Sequence, residues 1–183
     1  MLFRSVLLLS ISGINKLASA PTTAVAAGLQ PLIVVVGADA SLLIPEIDNN
    51  NTQLVINTNW KDGMATSIIT GLSALLEKYP AMDSAIFMTC DQPFVTAALL
   101  NDLIITHQQT GKSIVASIYD SVMGVPALFY KSHFDELLQL QGDTGARKII
   151  QQHINDVATV PFVKGKIDID TPEDYENLLK ETK

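Results

Sequence analysis

An acidic side chain directly follows an apolar segment near the middle of the sequence. Residues 85–88 have the composition of a buried strand, and the loop Cys90-Asp91-Gln92-Pro93 comes soon after it. Because proline cannot donate to a strand ladder, the strand is predicted to end before Pro93 and to leave Asp91 in a loop. A carboxylate in this position can hold a hard cation such as Mg²⁺ against substrate phosphates. It can equally cap a turn, and residue chemistry alone leaves both interpretations open.

A second acidic segment lies near the end of the sequence, at Asp168 and Asp170. Ile167 and Ile169 alternate with them, so both carboxylates share one side if the isoleucines point to the core. Two neighbouring carboxylates repel each other unless a cation or a basic group lies between them, which favours a metal site. The alternative is that Asp170 or Thr171 caps a last helix. Both interpretations hold together if one aspartate faces the metal and the other caps.

A polar loop with a glycine precedes a predicted helix over residues 64–76. Gly63 allows a ligand to approach the backbone, and Met64, Thr66 and Ser67 follow it at the positive end of that helix. This arrangement suits a nucleotide pocket. The alternative is a solvated loop in which Trp60 is a packing residue.

A glycine-rich cluster precedes another predicted helix, over residues 144–153. Asp143 is expected to cap this helix, with Arg147 one turn further on. The guanidinium of Arg147 can bind a phosphate with two hydrogen bonds, or it can pair with Asp143.

The remaining side chains with catalytic potential show no such pattern. His107, His133 and His153 lack the spacing of a metal site, so all three are interpreted as surface or helix-end residues. Cys90 has no activating base near it in the sequence. We interpret it as a small packing residue rather than a nucleophile.

Short apolar runs alternate with segments of helical periodicity along the chain. The alternation predicts one α/β domain over residues 1–183, with three layers: a mostly parallel central sheet and helices on both faces. In such sheets ligands bind beyond the carboxyl ends of the strands, where the loops of Gly63 and Asp91 are expected. The predicted strands are 32–36, 53–56, 85–88, 114–118, 126–129 and 157–162, with a turn over 120–124. The predicted helices are about 16–27, 64–76, 96–107, 132–140, 144–153 and one from 171 onward.

Composition excludes several classes of partner. The net charge is −7 and no Lys/Arg cluster is present, whereas a protein that binds nucleic acid needs a basic face. The one cysteine excludes an intramolecular disulfide and a multi-cysteine zinc site, which fits the cytoplasm. The first twenty residues have the outline of a secretory signal peptide, but Ser10, Gly13 and Lys16 interrupt an apolar run too short to cross a membrane. We expect a cytoplasmic protein without a membrane partner, and export is the alternative.

Taken in order, these segments resemble the molybdenum cofactor cytidylyltransferases of the wider MobA-like nucleotidyltransferase family, from about Leu8 to Leu179. Each matching segment is modest, but the ordered set is specific. The resemblance implies a Rossmann-like fold of the nucleotide-diphospho-sugar transferase type. The matching positions are Asn57, Trp60, Gly63-Met64, Ser67, Gly71-Leu72, Cys90-Asp91-Gln92-Pro93, Gly142-Asp143-Thr144-Gly145-Ala146-Arg147 and Asp168-Ile169-Asp170-Thr171-Pro172-Glu173-Asp174.

The chemistry implied by this resemblance is transfer of CMP from CTP to the molybdopterin cofactor, with Mg²⁺ as cofactor and pyrophosphate as product. Such catalysis acts mainly through positioning and charge neutralisation. A molybdoenzyme or its chaperone is an implied protein partner. The implied roles are Mg²⁺ binding for Asp91 and one of Asp168 or Asp170, base and ribose binding for Gly63, Met64 and Ser67, and pterin-side binding for Gly124, Pro126, Asp143 and Arg147.

The sequence departs from the family at its N-terminus and at Val125. Members begin with an apolar strand and the loop Leu-Ala-Ala-Gly-x-Ser-x-Arg-Met-Gly, followed by a lysine. Aligned without gaps back from Gly28, this chain reaches the lysine position at Val6, which predicts an N-terminally truncated domain without the first strand, the phosphate-binding loop and its two basic side chains. Residues 2–9 then either substitute for the strand or leave the sheet open. Val125 replaces a common histidine, so acceptor recognition is expected to differ.

The missing loop predicts impaired catalysis, because its groups hold the triphosphate and stabilise the transition state. Two alternatives to an active cytidylyltransferase therefore stay open. One is a non-catalytic nucleotide-binding or regulatory protein. The other is a relative that activates another phosphorylated acceptor.

Overall fold

A mixed sheet forms the centre of the computed structural model, which describes residues 4–9, 19–37 and 52–169. Across the sheet the described strands follow the order β3-β2-β1-β4-β6-β5-β7, and among them β6 alone runs against the others. The predicted mostly parallel sheet is confirmed. The strands are β1 (Arg4–Leu9), β2 (Leu32–Val36), β3 (Thr52–Ile56), β4 (Ser84–Thr89), β5 (Ile114–Tyr119), β6 (Val122–Tyr130) and β7 (Val157–Pro161).

Helices connect most of these strands. No helix in the described ranges is long and apolar enough to cross a membrane. The helix predicted from residue 171 lies outside the described residues. The helices are α1 (Ser19–Ala26), α2 (Met64–Lys78), α3 (Ala97–Thr110), α4 (Phe134–Leu138) and α5 (Arg147–Gln152), and short 3₁₀ turns occupy Trp60–Asp62, Lys131–His133 and Ile154–Asp156.

Strand β1 lies in the middle of the sheet, between β2 and β4. Val6 is in register with Leu32 on one side and with Ile86 on the other. The prediction that the first strand is missing is therefore wrong, and the alternative that residues 2–9 supply it is correct for Arg4–Leu9. The gapless alignment placed the family's lysine at Val6, but Val6 lies within this central strand. Residues 10–18, which connect β1 to α1, lie outside the described residues.

The strands bury side chains on both faces, as the β-branched runs predict. Leu32, Val34 and Val36 pack with α1 and α3 on one face. Ile33 and Val35 point the other way and pack with α2, α4 and α5. The result is a sheet between two helical layers, which confirms the predicted three-layer α/β architecture.

Local signals set the ends of the best predicted helices. Thr96 accepts a hydrogen bond from Leu99 N at 3.2 Å, which confirms it as the N-cap of α3. That helix continues to Thr110 and ends at Gly111. Gly111 has a φ of 66°, a left-handed conformation that glycine adopts at little energetic cost. Gly28 follows α1 with φ 72°, as predicted for its role at the helix end.

The hairpin between β5 and β6 is tighter than predicted. Asp120 and Ser121 both have positive φ, 47° and 63°, so two residues complete a turn that was expected to extend over 120–124. Strand β6 therefore begins at Val122. As a consequence, Gly124 is buried within a strand rather than placed in the turn, and Pro126 lies inside that strand rather than at its predicted start.

Substitutions at two apolar residues of α3, two positions apart, test which face of this helix packs in the core. Leu103 is fully buried and Ile105 is 45% exposed. We expect Leu103→Ala to lower the free energy of unfolding by about 2–5 kcal/mol, because a cavity replaces the side chain. Ile105→Ala, the matched control, should change it by less than about 0.5 kcal/mol. Urea denaturation followed by circular dichroism measures both, and equal losses would contradict this packing.

Candidate functional site

The carboxyl ends of β1, β2, β3 and β4 lie at the same end of the sheet. The chain runs outward from β1 to β2 and β3, then returns past β1 to form β4. The strand order thus reverses between β1 and β4, and ligands bind beside such a switch point in open α/β sheets. The loop that follows β4, with Asp91, lies there.

Asp91 and the segment before residue 170 are joined through the backbone. Ile169 N donates a hydrogen bond to Asp91 O at 2.9 Å. Ile169 is buried and Asp168 is exposed, as the predicted alternation requires. The structure therefore brings Asp168 to the loop of Asp91, whereas Asp170 lies outside the described residues.

Two further contacts hold the same segment against the loop after β4. The amide nitrogen of buried Gln92 donates to Gly165 O at 3.0 Å. Lys164 Nζ lies 4.2 Å from the centre of the Phe94 ring, a distance typical of a cation–π contact. These interactions explain why the approach of Asp168 to Asp91 does not depend on a single hydrogen bond.

Tyr119, a residue that sequence reasoning missed, lies among the predicted site residues. Burial and then the charge of Asp168 raise the pKa of this phenol, Arg147 and the Gln92 amide lower it, and Asp91 raises it slightly. The pKa of this one phenol is thus affected by two candidate metal carboxylates and by the candidate phosphate-binding arginine. No local signal marks Tyr119, because these partners come from three distant segments of the chain.

The Tyr119 ring also covers Gly124. A Cβ added at Gly124 would lie 2.4 Å from the Tyr119 hydroxyl oxygen, so a larger residue here would require the Tyr119 side chain to move. Pro126 is buried further along β6, and its carbonyl accepts a 2.7 Å hydrogen bond from Ser117 Oγ. Of these two predicted substrate residues, the structure brings Gly124 next to Tyr119 and leaves Pro126 inside the sheet.

Asn57 organises the loop after β3. It is buried, and its side-chain nitrogen donates to Thr66 Oγ1 at 2.8 Å and to Ser67 Oγ at 2.9 Å. Its backbone N–H donates to Val36 O at 2.8 Å, which ties the loop to the end of β2. A hydroxyl that accepts can still donate, so Ser67 keeps the capacity to bind a ligand.

The loop of Gly63 and the loop of Gly142 touch each other through their backbones. Ala65 N donates to Gly142 O at 3.0 Å. A Cβ at Gly63, whose φ is 105°, would lie 2.3 Å from Gly142 C, and a Cβ at Gly145 would lie 2.7 Å from Met64 Sδ. The predicted nucleotide residues and one predicted substrate loop therefore form one continuous wall.

The start of α5 differs from the prediction. The helix begins at Arg147, and its N-cap position, Ala146, has no side-chain cap. Asp143 is therefore not the helix cap, because Gly142 to Ala146 form turns packed against the loop of Gly63 rather than a first helical turn. Arg147 is exposed and stands at the first position of the helix, not one turn in.

Trp60 lies over the end of β2. A Cβ at Gly37 would lie 3.1 Å from Trp60 Cβ, so glycine permits this close approach. The Trp60 side chain packs there and still leaves 40% of its surface exposed. Packing residue and pocket wall are thus compatible roles for Trp60.

Cys90 is a packing residue, as the sequence indicates. Burial, with a smaller contribution from Asp91, raises the pKa of the thiol to about 12. A protonated thiol is a poor nucleophile at neutral pH.

The interpretation of the histidines as scattered surface or helix-end residues is wrong for His133. This side chain is buried, and its ring centre lies 4.5 Å from that of His153. His153 Nε2 lies 2.9 Å from a carboxylate oxygen of Glu136. Chain folding between residues 136 and 153 creates this cluster, so spacing in the sequence does not reveal it.

His107, at the end of α3, hydrogen-bonds Lys112 O through Nδ1 at 2.7 Å, as expected of a helix-end residue.

Similar proteins share this arrangement of strands and helices. The crystal structure of Rv0371c from Mycobacterium tuberculosis H37Rv superposes with a TM-score of 0.78 at 24% identity, over 98% of this chain and 99% of that one. The 4-diphosphocytidyl-2C-methyl-D-erythritol synthase of Anaerococcus prevotii superposes with a TM-score of 0.75 at 16% identity, over 98% and 99%. At these identities the likeness shows the fold.

Sequence comparison identifies the family. Nicotine blue oxidoreductase of Paenarthrobacter nicotinovorans is 24% identical over 94% of this chain and 86% of its own length. The sequence profile of the MobA-like NTP transferase domain matches residues 7–157, which include the second half of β1, the loops of Gly63 and Asp91, and the cluster from Gly142 to Arg147. This chain therefore belongs to the MobA-like NTP transferase domain family.

Proposed function

We propose that this chain transfers a nucleoside monophosphate from a nucleoside triphosphate to a phosphorylated acceptor. An acceptor phosphate oxygen attacks the α-phosphorus, the bond from that phosphorus to the β-phosphate oxygen breaks, and pyrophosphate leaves. The observation that carries the proposal is the 2.9 Å hydrogen bond from Ile169 N to Asp91 O. It supports a pair of carboxylates, Asp91 and Asp168, beside the switch point of the sheet.

Asp91 and Asp168 are the residues proposed to hold a divalent cation, which we infer to be Mg²⁺. Their oxygen donors are the ligands that hard cations prefer, and both carboxylates act on the pKa of Tyr119, which supports their proximity. Rv0371c, with the same fold, has been crystallised in complex with manganese. When bound, such an ion neutralises charge on the substrate phosphates. Asp170 stays a further proposed ligand.

The wall formed by Gly63, Met64 and Ser67 is proposed to bind the base and the ribose. Backbone donors at the start of α2 are partly used within the protein: Ala65 N bonds Gly142 O at 3.0 Å and Thr66 N bonds Gly63 O at 3.2 Å. This helix end therefore offers a phosphate fewer N–H groups than an open helix end does. Hydroxyl and backbone groups of this kind suit the uncharged parts of a nucleotide.

Arg147 is proposed to bind the acceptor phosphate. It is exposed at the first position of α5, and its charge lowers the pKa of Tyr119, beside the two carboxylates. A guanidinium can hold a phosphate with two parallel hydrogen bonds and so orient its attacking oxygen. Gly124, under the Tyr119 hydroxyl, would border the same side of the pocket, with Asp143 at the junction with the nucleotide wall.

CTP and the molybdenum cofactor are the proposed donor and acceptor. The ordered motifs around Gly63, Asp91, Arg147 and Asp168 support this choice through their resemblance to molybdenum cofactor cytidylyltransferases. The name of the synthase from Anaerococcus prevotii describes a cytidyl-carrying product, which supports CTP use on this fold. A molybdoenzyme or its chaperone would then receive the cytidylylated cofactor.

The two carboxylates provide the main test. In a pyrophosphate-release assay with Mg²⁺, molybdopterin and each NTP in turn, we expect release with CTP. Asp91→Asn and Asp168→Asn should each lower kcat/KM on the order of 100-fold, because charge on the phosphates is no longer neutralised. Asp102→Asn, an exposed position on α3, is the matched control and should keep wild-type activity.

The same assay separates the rival functions. Nucleotide binding without pyrophosphate release under any acceptor would indicate a nucleotide-binding protein instead. Release only with another phosphorylated acceptor would move the proposal to that substrate. A redox change of nicotine blue, without pyrophosphate release, would indicate an activity like the one for which the Paenarthrobacter relative is named.

A second prediction concerns the wall itself. Gly63→Ala introduces a Cβ 2.3 Å from Gly142 C, whereas Gly111→Ala, at a φ of 66°, meets nothing within 4 Å. Both variants should lose stability, on the order of 1–3 kcal/mol, because each glycine has a positive φ that other residues rarely adopt. Only Gly63→Ala should also weaken CTP binding, by at least about tenfold. A loss of about 1.4 kcal/mol in binding free energy from displaced contacts corresponds to that factor. Quenching of Trp60, the one tryptophan, reports binding. Equal affinity in both variants would contradict the proposed wall.

The third prediction concerns the segment that follows β1, which contains Gly13 and Lys16 in the sequence. In the family the corresponding connection carries a phosphate-binding loop and a lysine. The glycine-rich motif of that loop is absent from this sequence, but Lys16 follows the central strand β1 and is proposed to supply the positive charge. We expect Lys16→Ala to lower kcat/KM for CTP on the order of 100-fold through lost charge stabilisation. Lys78→Ala, at the end of α2, should not change it. Unchanged kinetics in Lys16→Ala would show that this connection does not hold the triphosphate.

A further inference from the structure

A second polar cluster lies at the amino ends of the parallel strands, at the opposite end of the sheet from the proposed active site. His133 ends the 3₁₀ turn after β6, Glu136 belongs to α4, and His153 follows α5. The neighbouring strand ends are Tyr130 of β6 and Ile114 of β5, and Tyr130 N donates to Ser113 O at 2.8 Å. The cluster is therefore separate from Asp91 and Asp168, which follow the carboxyl ends of the parallel strands.

The nitrogen and oxygen atoms of this cluster converge. His153 Nε2 lies 2.9 Å from Glu136 Oε2, and His133 Nδ1 lies 3.7 Å from Glu136 Oε1. One ligand atom from each of the three residues lies within 4.8 Å of the other two. A tetrahedral ion with bonds of about 2.0–2.1 Å places its ligand atoms roughly 3.3 Å apart. Small side-chain rotations would therefore bring all three to bonding distance.

A hydrogen-bond chain orients the His133 ring. Ser113 Oγ donates to Asp156 Oδ2 at 2.5 Å, so its oxygen accepts from His133 Nε2–H, also at 2.5 Å. The proton on Nε2 leaves a lone pair on Nδ1. Metal-binding histidines typically donate their other ring nitrogen to a partner of this kind, which sets the tautomer.

The lone pair of His133 Nδ1 points into the cluster. The side chain is 5% exposed, and within the described ranges Nδ1 has no hydrogen-bond partner. Glu136 is too far away for a hydrogen bond and carries negative charge, so it does not satisfy a lone pair. Burial of an unsatisfied polar atom is costly, and a cation between the lone pair and the carboxylate would remove that cost.

We propose that His133, Glu136 and His153 bind one divalent transition-metal ion of the Zn²⁺ class, with His133 Nδ1, His153 Nε2 and a Glu136 oxygen as ligands. Two imidazoles and one carboxylate favour Zn²⁺ and its neighbours in the transition series, whereas Mg²⁺ prefers oxygen donors. Water completes the fourth position. The site thus differs in chemistry and in place from the cation site proposed at Asp91.

The ion would clamp the two ends of one functional segment. Glu136 in α4 precedes the segment of residues 139–146, and His153 comes after α5, which follows it. That segment contains Gly142 and Gly145, which contact the loop of Gly63 and Met64. Joining Glu136 to His153 and to the buried His133 therefore restricts the base of the wall without any ligand reaching the proposed active site.

Metal titration of the full chain tests the proposal. After chelator treatment and in excess Mg²⁺, Zn²⁺ is added and binding is measured by calorimetry, with Tm recorded in parallel. We expect one equivalent bound and a higher Tm. His153→Gln and Glu136→Gln change partly exposed side chains and should fold, yet each should weaken Zn²⁺ binding 10- to 100-fold or more and abolish the rise in Tm.

His107→Gln and Asp91→Asn are the controls, and both should bind Zn²⁺ as the wild type does. Co²⁺ in place of Zn²⁺ should produce the visible absorption of a tetrahedral site in the wild type and lose it in His153→Gln. Substoichiometric Zn²⁺ binding in the wild type would overturn the proposal. So would full binding in His153→Gln and Glu136→Gln, or binding that disappears in Asp91→Asn. Because no step of this test uses NTP, its outcome is independent of the proposed transferase activity.

Discussion

The insertion of β1 between β2 and β4 is the constraint on which the rest of the structure depends. Its backbone pairs with Leu32–Val35 on one side and with Ser84–Thr89 on the other. Without it, two buried strands would each expose a row of unpaired N–H and C=O groups, which a buried sheet cannot tolerate. The same insertion creates the reversal of strand order beside Asp91. Fold integrity and the position of the candidate site thus have one origin.

Backbone contact, more than side-chain contact, determines the shape of the proposed nucleotide wall. The loops of Gly63 and Gly142 approach so closely that a single Cβ would displace them. Buried Asn57 then positions Thr66 and Ser67 with two hydrogen bonds. Because these contacts leave side chains such as Met64 partly exposed, residues around the wall can vary while the wall itself keeps its shape.

Local signals explain which parts of the fold could be predicted. The β-branched run Leu32–Val36, the helical spacing after Gly63 and the cap at Thr96 each act within a few residues, and the structure confirms them. Strand β1 was missed because the prediction relied on the family's N-terminal motif, whereas the pairing of Arg4–Leu9 with β2 and β4 joins distant parts of the chain. The start of β6 was misplaced because a turn of Asp120 and Ser121 needs two residues with positive φ, and neither is glycine.

The site was predictable only in part, for the same reason. Asp91, Gly63 and Arg147 carry motif signals, and their roles stay predictions. Tyr119 and the cluster around His133 arise from contacts between distant segments, which no spacing records. His133 and Glu136 did carry one usable signal: three residues apart, they can share a helix face. His153 carries no such signal, because only the folding of the chain between residues 136 and 153 brings it to the cluster.

Strand β6 spans the distance between the two polar centres. It passes Gly124 under Tyr119 at one end and reaches Tyr130, three residues before His133, at the other. Along the way Leu128 packs on one face of the sheet while Ala127 and Phe129 pack on the other. Loss or gain of one residue would exchange these faces, since strand side chains alternate with a period of two. Length variation among relatives should therefore accumulate in connections such as residues 10–18, and β6 should keep a constant length even where its sequence drifts.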